Sequence, residues 1–328
     1  MEAPLVDRLG RTARSLRVSL TDRCNLRCRY CMPAEGLPWL DRDDLLRRDE
    51  VRRLIAMFAR MGVRDVRLTG GEPLLRPDLE AIVADVAALP GIDEVTMTTN
   101  GVLLAGRVDD LVAAGLRRVN VSLDSLDPER FARITRRDAL DRVLAGLEAC
   151  LRHPSLRPVK VNAVLLRGIS GDDVLPLAAL AREGRLVVRF IEAMPLDAGR
   201  TWRPDAVLPG AEVRAAIDRR WPLVPLARAR PSAPATTWRF RDGAGVVEFV
   251  SSVTEPFCAA CDRLRLTADG QLRTCLFADQ EADLRGALRR GEPLEPVVRQ
   301  AVWGKPAGHA IGVAADPAPM RPMSRIGG

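Results

Sequence analysis

The chain has 328 residues, about half of them hydrophobic, and a formal net charge of +7. That is material for one large core or two smaller ones, and the absence of a long apolar run or a basic-then-apolar leader argues against a membrane span and against export. Seven cysteines with no secretion signal argue for reduced thiols in a cytoplasm rather than a disulfide framework, and no dense basic run interleaved with aromatics suggests a nucleic-acid surface.

In chain order, β-branched runs at residues 16–20, 63–68, 94–98, 117–123, 159–165 and 186–191 read as strands. Amphipathic stretches at 49–60, 77–89, 103–114, 138–151 and 172–182 read as helices between them. Strands alternating with helices of this length predict an α/β fold with parallel pairing. Right-handed crossovers roll six such units into an incomplete (β/α)6-type, TIM-like barrel. The pattern changes near Pro195. Hairpins are expected at 236–240 with 246–250 and at 263–267 with 271–274, followed by a helix at 280–290. The expected organisation is a partial barrel over 1–195, a smaller C-terminal α+β domain over 196–304 and a tail over 305–328 ending in Gly-Gly.

Arginine supplies nearly all the positive charge: Lys160 and Lys305 are the only lysines, and His153 and His309 the only histidines. Histidine-based acid–base chemistry therefore has little material. The chemistry sits in the cysteines. Cys24, Cys28 and Cys31 form a C-x3-C-x2-C loop directly after the first predicted strand, at the end where barrel loops carry function. Three thiolates at this spacing can wrap one [4Fe–4S] cube and leave its fourth iron open to a small molecule. Structural zinc wants four ligands, and no fourth Cys or His lies near. Cys258, Cys261 and Cys275 make a second trio, placing a second Fe–S site in the C-terminal domain. Zinc completed by a distant residue is the alternative for that trio taken alone. Cys150 reads as a small buried hydrophobe. After the second strand comes Thr69-Gly70-Gly71-Glu72-Pro73, whose bare carbonyls and carboxylate suit an ammonium group.

The C-x3-C-x2-C loop followed one strand later by Gly-Gly-Glu-Pro resembles the signature of radical S-adenosylmethionine (SAM) enzymes. With the second trio, Ser122–Asp124, Lys160–Gly168, Ile191–Pro195, Phe257–Leu266 and the terminal Ile326-Gly327-Gly328, the chain resembles the GTP 3′,8-cyclases of molybdenum cofactor biosynthesis. The resemblance implies two [4Fe–4S] clusters, on Cys24, Cys28 and Cys31 and on Cys258, Cys261 and Cys275. It implies SAM contacts from Tyr30, Gly71, Glu72, Ser122 and Met194, and GTP contacts from Arg17, Arg67, Thr98, Lys160, Arg263, Leu264 and Arg265. Ala193 stands where the family pattern leads one to expect an aromatic residue. The implied reaction is hydrogen removal from C3′ of GTP by a SAM-derived radical, attack of the ribose radical on C8, and reduction of the cyclised radical by one electron and one proton, giving (8S)-3′,8-cyclo-7,8-dihydroguanosine 5′-triphosphate. The implied partners are GTP, an electron donor and the next enzyme of the molybdopterin pathway, and a homodimer is allowed. The terminal Gly-Gly is expected inside the barrel, near the cation-lined pocket. Two further readings are a radical SAM enzyme with an auxiliary cluster acting on a peptide, and an iron–sulfur electron carrier.

Overall fold

The computed structural model describes residues 3–309, 311 and 321–327. Six strands, β1 (Ser15–Ser19), β2 (Asp65–Thr69), β3 (Glu94–Thr99), β4 (Arg118–Ser122), β5 (Val159–Leu165) and β6 (Leu186–Glu192), pair in chain order and all in parallel. Parallel neighbours need a crossover, and helices supply it: α1 (Arg48–Arg60), α2 (Leu79–Ala87), α3 (Val108–Ala113), α4 (Pro128–Thr135), α5 (Leu140–Leu151) and α6 (Val174–Arg182). The predicted strands and most predicted helices appear within a few residues of their expected ends. The stretch expected as helix 103–114 divides into a short 3-10 turn and α3.

Downstream of β6, the chain continues the same sheet. Helix α7 (Gly210–Arg220), which the sequence reading lacks, leads into β7 (Leu223–Leu226), β8 (Thr236–Phe240) and β9 (Val246–Val250). Strand β9 lies parallel to β6, with β8 and β7 antiparallel beyond it. At the other edge β10 (Arg263–Leu266) lies parallel to β1, and β11 (Gln271–Arg273) and β12 (Ala282–Asp283) follow antiparallel. The helix expected at 280–290 begins later than predicted. Its first residues form β12, and α8 (Leu284–Arg290) starts after Asp283, whose carboxylate accepts from the Gly286 N–H as an N-cap. Helices α9 (Leu294–Trp303) and α10 (Met323–Ile326) complete the described elements. Among the described residues no helix is long and apolar enough to cross a membrane.

Alternation along the strands sorts the side chains into two faces. Leu16, Val18, Val66, Leu68, Val95, Met97, Val119, Val121, Val161, Ala163, Val188 and Phe190 join the core with the helices. The concave face carries Arg17, Arg67, Thr98, Asn120, Ser122, Lys160, Asn162 and Arg189 on the alternate positions. Most barrels of this type fill their interior with branched aliphatic side chains. This one has a polar, cationic interior, and such groups are costly to bury without partners.

Candidate active site

Cys24, Cys28 and Cys31 lie on the loop leaving the C-terminal end of β1, half-buried and free of disulfides. Backbone contacts shape that loop: the N–H groups of Cys31 and Met32 donate to the Cys28 carbonyl at 2.9 and 3.0 Å. Two guanidiniums brace it. Arg27 donates to the carbonyls of Cys24 (2.6 Å) and Leu26 (2.9 Å), and Arg136 to those of Arg27 and Met32, both at 2.9 Å. The Gly-Gly-Glu-Pro turn after β2 packs beneath. Its Gly71 and Glu72 N–H groups donate to Thr21 and Arg23 carbonyls at 2.7 and 2.8 Å. A Cβ on Gly71 would sit 2.4 Å from the Arg23 carbonyl oxygen, so the glycine is required by the cysteine loop's own backbone.

Burial pushes the Cys24 thiol up to about 11 and Cys31 to about 12, and Cys28 well above its usual range, with neighbouring thiols adding to the effect on Cys28 and Cys31. Thiols so placed ionise when a metal supplies the opposing charge, so the trio fits an iron cluster. The second trio sits on a 3-10 turn, Cys258–Ala260, on Cys261 next to it, and on Cys275 beyond β11. Burial raises the Cys258 thiol. It acts likewise on Cys261, but the charges of Arg263 and Lys305 overcome it and bring that thiol down to about 7.

The first trio opens into a cavity of about 1440 Å³, part of it open to solvent. The second trio lines an adjoining cavity, and the two share Met194, Ser252, Phe257, Arg263, Arg265 and Leu276. Arg17, Tyr30, Arg67, Gly71, Thr98 and Ser122 also line the larger cavity. Among the described residues neither Arg17 nor Arg67 has an acidic partner in an ion pair. Burial, then the charge of neighbouring arginines, lowers Arg17 to about 9 and holds Arg67 and Arg265 well below the usual arginine range. Arg263 stacks over the Phe257 ring, 4.7 Å from its centroid.

Three of the expected contact residues point elsewhere. The Glu72 carboxylate turns into the protein, accepting from the N–H groups of Leu74 (3.0 Å) and Asn100 (2.7 Å) and the Thr99 hydroxyl (2.7 Å), rather than presenting itself to a ligand ammonium. Leu264 sits fully in the core, because alternation along β10 sends Arg263 and Arg265 inward and the leucine outward. Lys160 is absent from the cavity lining. Its ammonium donates to Glu248 at 2.6 Å, and Glu248 also accepts from Arg189 at 2.6 and 2.8 Å.

Arg189, Asn162 and Asp124 line the cavity without having been singled out as contacts. In an arginine-rich chain Arg189 carries no distinguishing signal. Asn162 presents a buried side-chain oxygen with no hydrogen-bond partner among the described residues. Asp124 accepts from the Tyr30 hydroxyl (2.8 Å) and the Val164 N–H (2.8 Å). At Ala193, where an aromatic residue was expected, the Trp202 indole N–H donates to the Ala193 carbonyl at 3.0 Å, so a ring reaches this segment from elsewhere.

A parallel six-stranded core with a cysteine trio at the mouth of its first strand places the chain in a known class. Residues 18–181 match the family model of the Radical SAM superfamily, and residues 186–311 match Molybdenum Cofactor Synthesis C. GTP 3′,8-cyclases from Mycobacterium sp. (strain KMS) and Streptomyces coelicolor are 53% and 50% identical. Those alignments span 99% of this chain and 94% and 96% of the relatives. The chain belongs to the GTP 3′,8-cyclase family. Among solved structures, Streptococcus suis SuiB bound to S-adenosylmethionine matches with a TM-score of 0.59 at 14% identity, over 92% of this chain and 68% of that one. The same protein bound to precursor peptide SuiA matches at 15% identity. That likeness is one of fold alone.

Proposed function

We infer that this chain is a radical SAM GTP 3′,8-cyclase acting at an early step of molybdenum cofactor biosynthesis. The observation that carries the reading is the half-buried pair Arg17 and Arg67, without acidic partners among the described residues, beside Arg263 and Arg265 in the cavity that the first cysteine trio enters. A charge drawn part-way out of water without a counter-charge is costly. A nucleoside triphosphate supplies the missing negative charge, and guanidiniums bind phosphate oxygens as paired donors.

Cys24, Cys28 and Cys31 would hold a [4Fe–4S] cluster, and SAM bound there supplies the radical chemistry. The residues of this chain do the positioning. Tyr30, Gly71, Ser122 and Met194 line the SAM side of the cavity. Arg17, Arg67, Arg263 and Arg265 grip the triphosphate, and Thr98 and the unpartnered Asn162 oxygen face the rest of the nucleotide. Lys160 contributes through the charge balance it shares with Glu248 and Arg189. Cys258, Cys261 and Cys275 would hold a second cluster across the shared wall, fixing the guanine end while the surrounding loops exclude water.

The test is anaerobic reconstitution with iron and sulfide, addition of SAM, reductant and GTP, and chromatographic separation with mass analysis of the nucleotide products, with ATP and a peptide mixture as controls. A cyclised product isobaric with GTP, and none from ATP or peptide, is the expected result. SAM cleavage with GTP recovered unchanged would overturn the substrate assignment.

A further inference from the structure

The segment after α9 lacks periodicity, yet its residues 305–309 wrap the second cysteine trio. A Cβ on Gly308 would meet the Cys258 sulfur at 3.7 Å, and the His309 backbone N–H reaches the same thiol. The His309 ring bonds the Ser252 carbonyl at 2.9 Å. Two buried cations tie this strap down. The N-terminal turn around Asp7 presents Arg11, whose Nε donates to Asp7 Oδ2 at 2.6 Å. The rest of that guanidinium collects carbonyls from two distant segments: Cys258 at 2.9 Å, Ala307 at 3.2 Å, Pro306 at 2.7 Å and Lys305 at 3.5 Å. The Lys305 ammonium donates to the carbonyls of Cys261 at 2.8 Å and Arg263 at 2.9 Å. Asp7, Arg11 and Lys305 are 2%, 9% and 4% exposed, too deep for ordinary surface charges.

We propose that Arg11 and Lys305 are positioning residues of the second cysteine trio, Arg11 fixing its geometry and Lys305 its electrostatics. This rests on the reading of that trio as a cluster site. The division of labour follows from their partners. Asp7 neutralises Arg11, so what Arg11 adds is the planar fork that joins residue 258 to residues 305–307. Lys305 has no acidic partner among the described residues, and its charge stands beside Cys261. A cluster on three thiolates gains negative charge on reduction, and its potential responds to nearby charge and hydrogen bonding. An uncompensated ammonium therefore favours the reduced form. The first trio is braced in the same manner by Arg27 and Arg136 on its loop carbonyls, so both cysteine loops are held by side chains that ligate nothing.

The test uses the full chain with Cys24, Cys28 and Cys31 changed to Ser, so that iron can load only at the second trio. Iron per chain, iron release to a chelator, the electron paramagnetic resonance signal of the reduced protein and its midpoint potential are measured. Arg11→Lys keeps the charge and loses the fork; iron release should become several-fold faster at an unchanged potential. Lys305→Met should shift the potential to more negative values, and Lys305→Arg should return it toward that of the parent. If Arg11→Lys does not fold, Asp7→Asn, which loosens the fork without removing it, should likewise speed iron release and, by leaving Arg11 uncompensated, move the potential to more positive values. Unchanged iron release and unchanged potential in these variants would overturn the proposal. A parent chain that loads no iron would instead overturn the cluster reading beneath it.

Discussion

The guanidinium of Arg265, on β10, donates to the carbonyl oxygen of Gly327, sixty-two residues further along the chain. Gly327 takes a φ of 89°, and a Cβ there would stand 2.6 Å from Thr69 Oγ1 and 3.0 Å from the Ser19 Cβ. Ser19 and Thr69 face each other at the ends of β1 and β2, so Gly327 is threaded into the barrel mouth, where only glycine fits. Ile326 before it is 1% exposed. Gly328 lies outside the described residues. The carbonyl is a neutral partner: it orients Arg265 without cancelling the charge offered to an anion.

Removing Gly327 and Gly328 should therefore leave iron content and uncoupled SAM cleavage largely intact while GTP cyclisation falls sharply. Gly327→Ala should do the same, because the added methyl meets Thr69 in a backbone conformation alanine resists. Product yield is followed by chromatographic separation from GTP alongside release of methionine from SAM. Native product yield from either variant would remove the tail from the active site.

The two cysteine trios should separate by phenotype. Ser at Cys24, Cys28 or Cys31 should abolish SAM cleavage. Ser at Cys258, Cys261 or Cys275 should remove about half the iron and stop cyclisation. The contrast is read from iron analysis and SAM turnover on the same samples. Full iron and full cyclisation in Cys275→Ser would leave the second trio without a cluster.

The parallel core was legible because β-branched runs and amphipathic stretches alternate at regular intervals, and the cysteine loops were legible from spacing alone. Other features depend on long-range pairing that local pattern does not encode. The C-terminal hairpins read correctly as hairpins, but nothing in their sequence says that β9 docks on β6 and β10 on β1. Helix α4 was missed although Asp127-Pro128 is an N-terminal signal: the Asp127 carboxylate accepts from the Arg130 N–H at 2.7 Å. Glu72 looked like a ligand group because its inward hydrogen bonds come from Leu74, Thr99 and Asn100, two of them on the next strand and its loop. Arg11 was invisible for a different reason. One arginine among so many has no signal until its four carbonyls are in place.

Glu72 gives a pH signature. Burial raises its carboxyl from 4.5 to about 7, against the pull of its three donors. Between those values the folded chain keeps a proton that the unfolded chain has released, so this group's contribution to stability falls as pH rises from about 4.5 to about 7. It is flat outside that window. The change is about 3 kcal/mol. Urea unfolding of the metal-free protein and of Glu72→Gln, at pH 5 and pH 8, isolates the effect: wild type should lose stability relative to the variant on going to pH 8. Parallel behaviour of the two at both pH values would place the titration elsewhere.

Charge balance orders the expected losses of nucleotide affinity. Arg17 faces the cavity without an acidic partner among the described residues, so its Ala variant should lose a charge-assisted phosphate contact outright, about 1.5–3 kcal/mol or roughly tenfold and more in GTP affinity. Lys160 differs. Its ammonium already has Glu248, and removing it leaves that carboxylate to Arg189 alone. The freed Glu248 then holds Arg189 more firmly away from an incoming phosphate, and the loss in Lys160→Ala is indirect and smaller. Glu248→Gln should act in the opposite direction, releasing both cations toward the cavity and tightening GTP more than GMP, since only the triphosphate brings enough charge to use them. Calorimetric titration of the three variants with GTP and GMP gives the order directly. A loss in Lys160→Ala equal to that in Arg17→Ala would mean that the ammonium leaves Glu248 for the nucleotide, and a weaker GTP complex in Glu248→Gln would mean that the carboxylate itself binds the ligand.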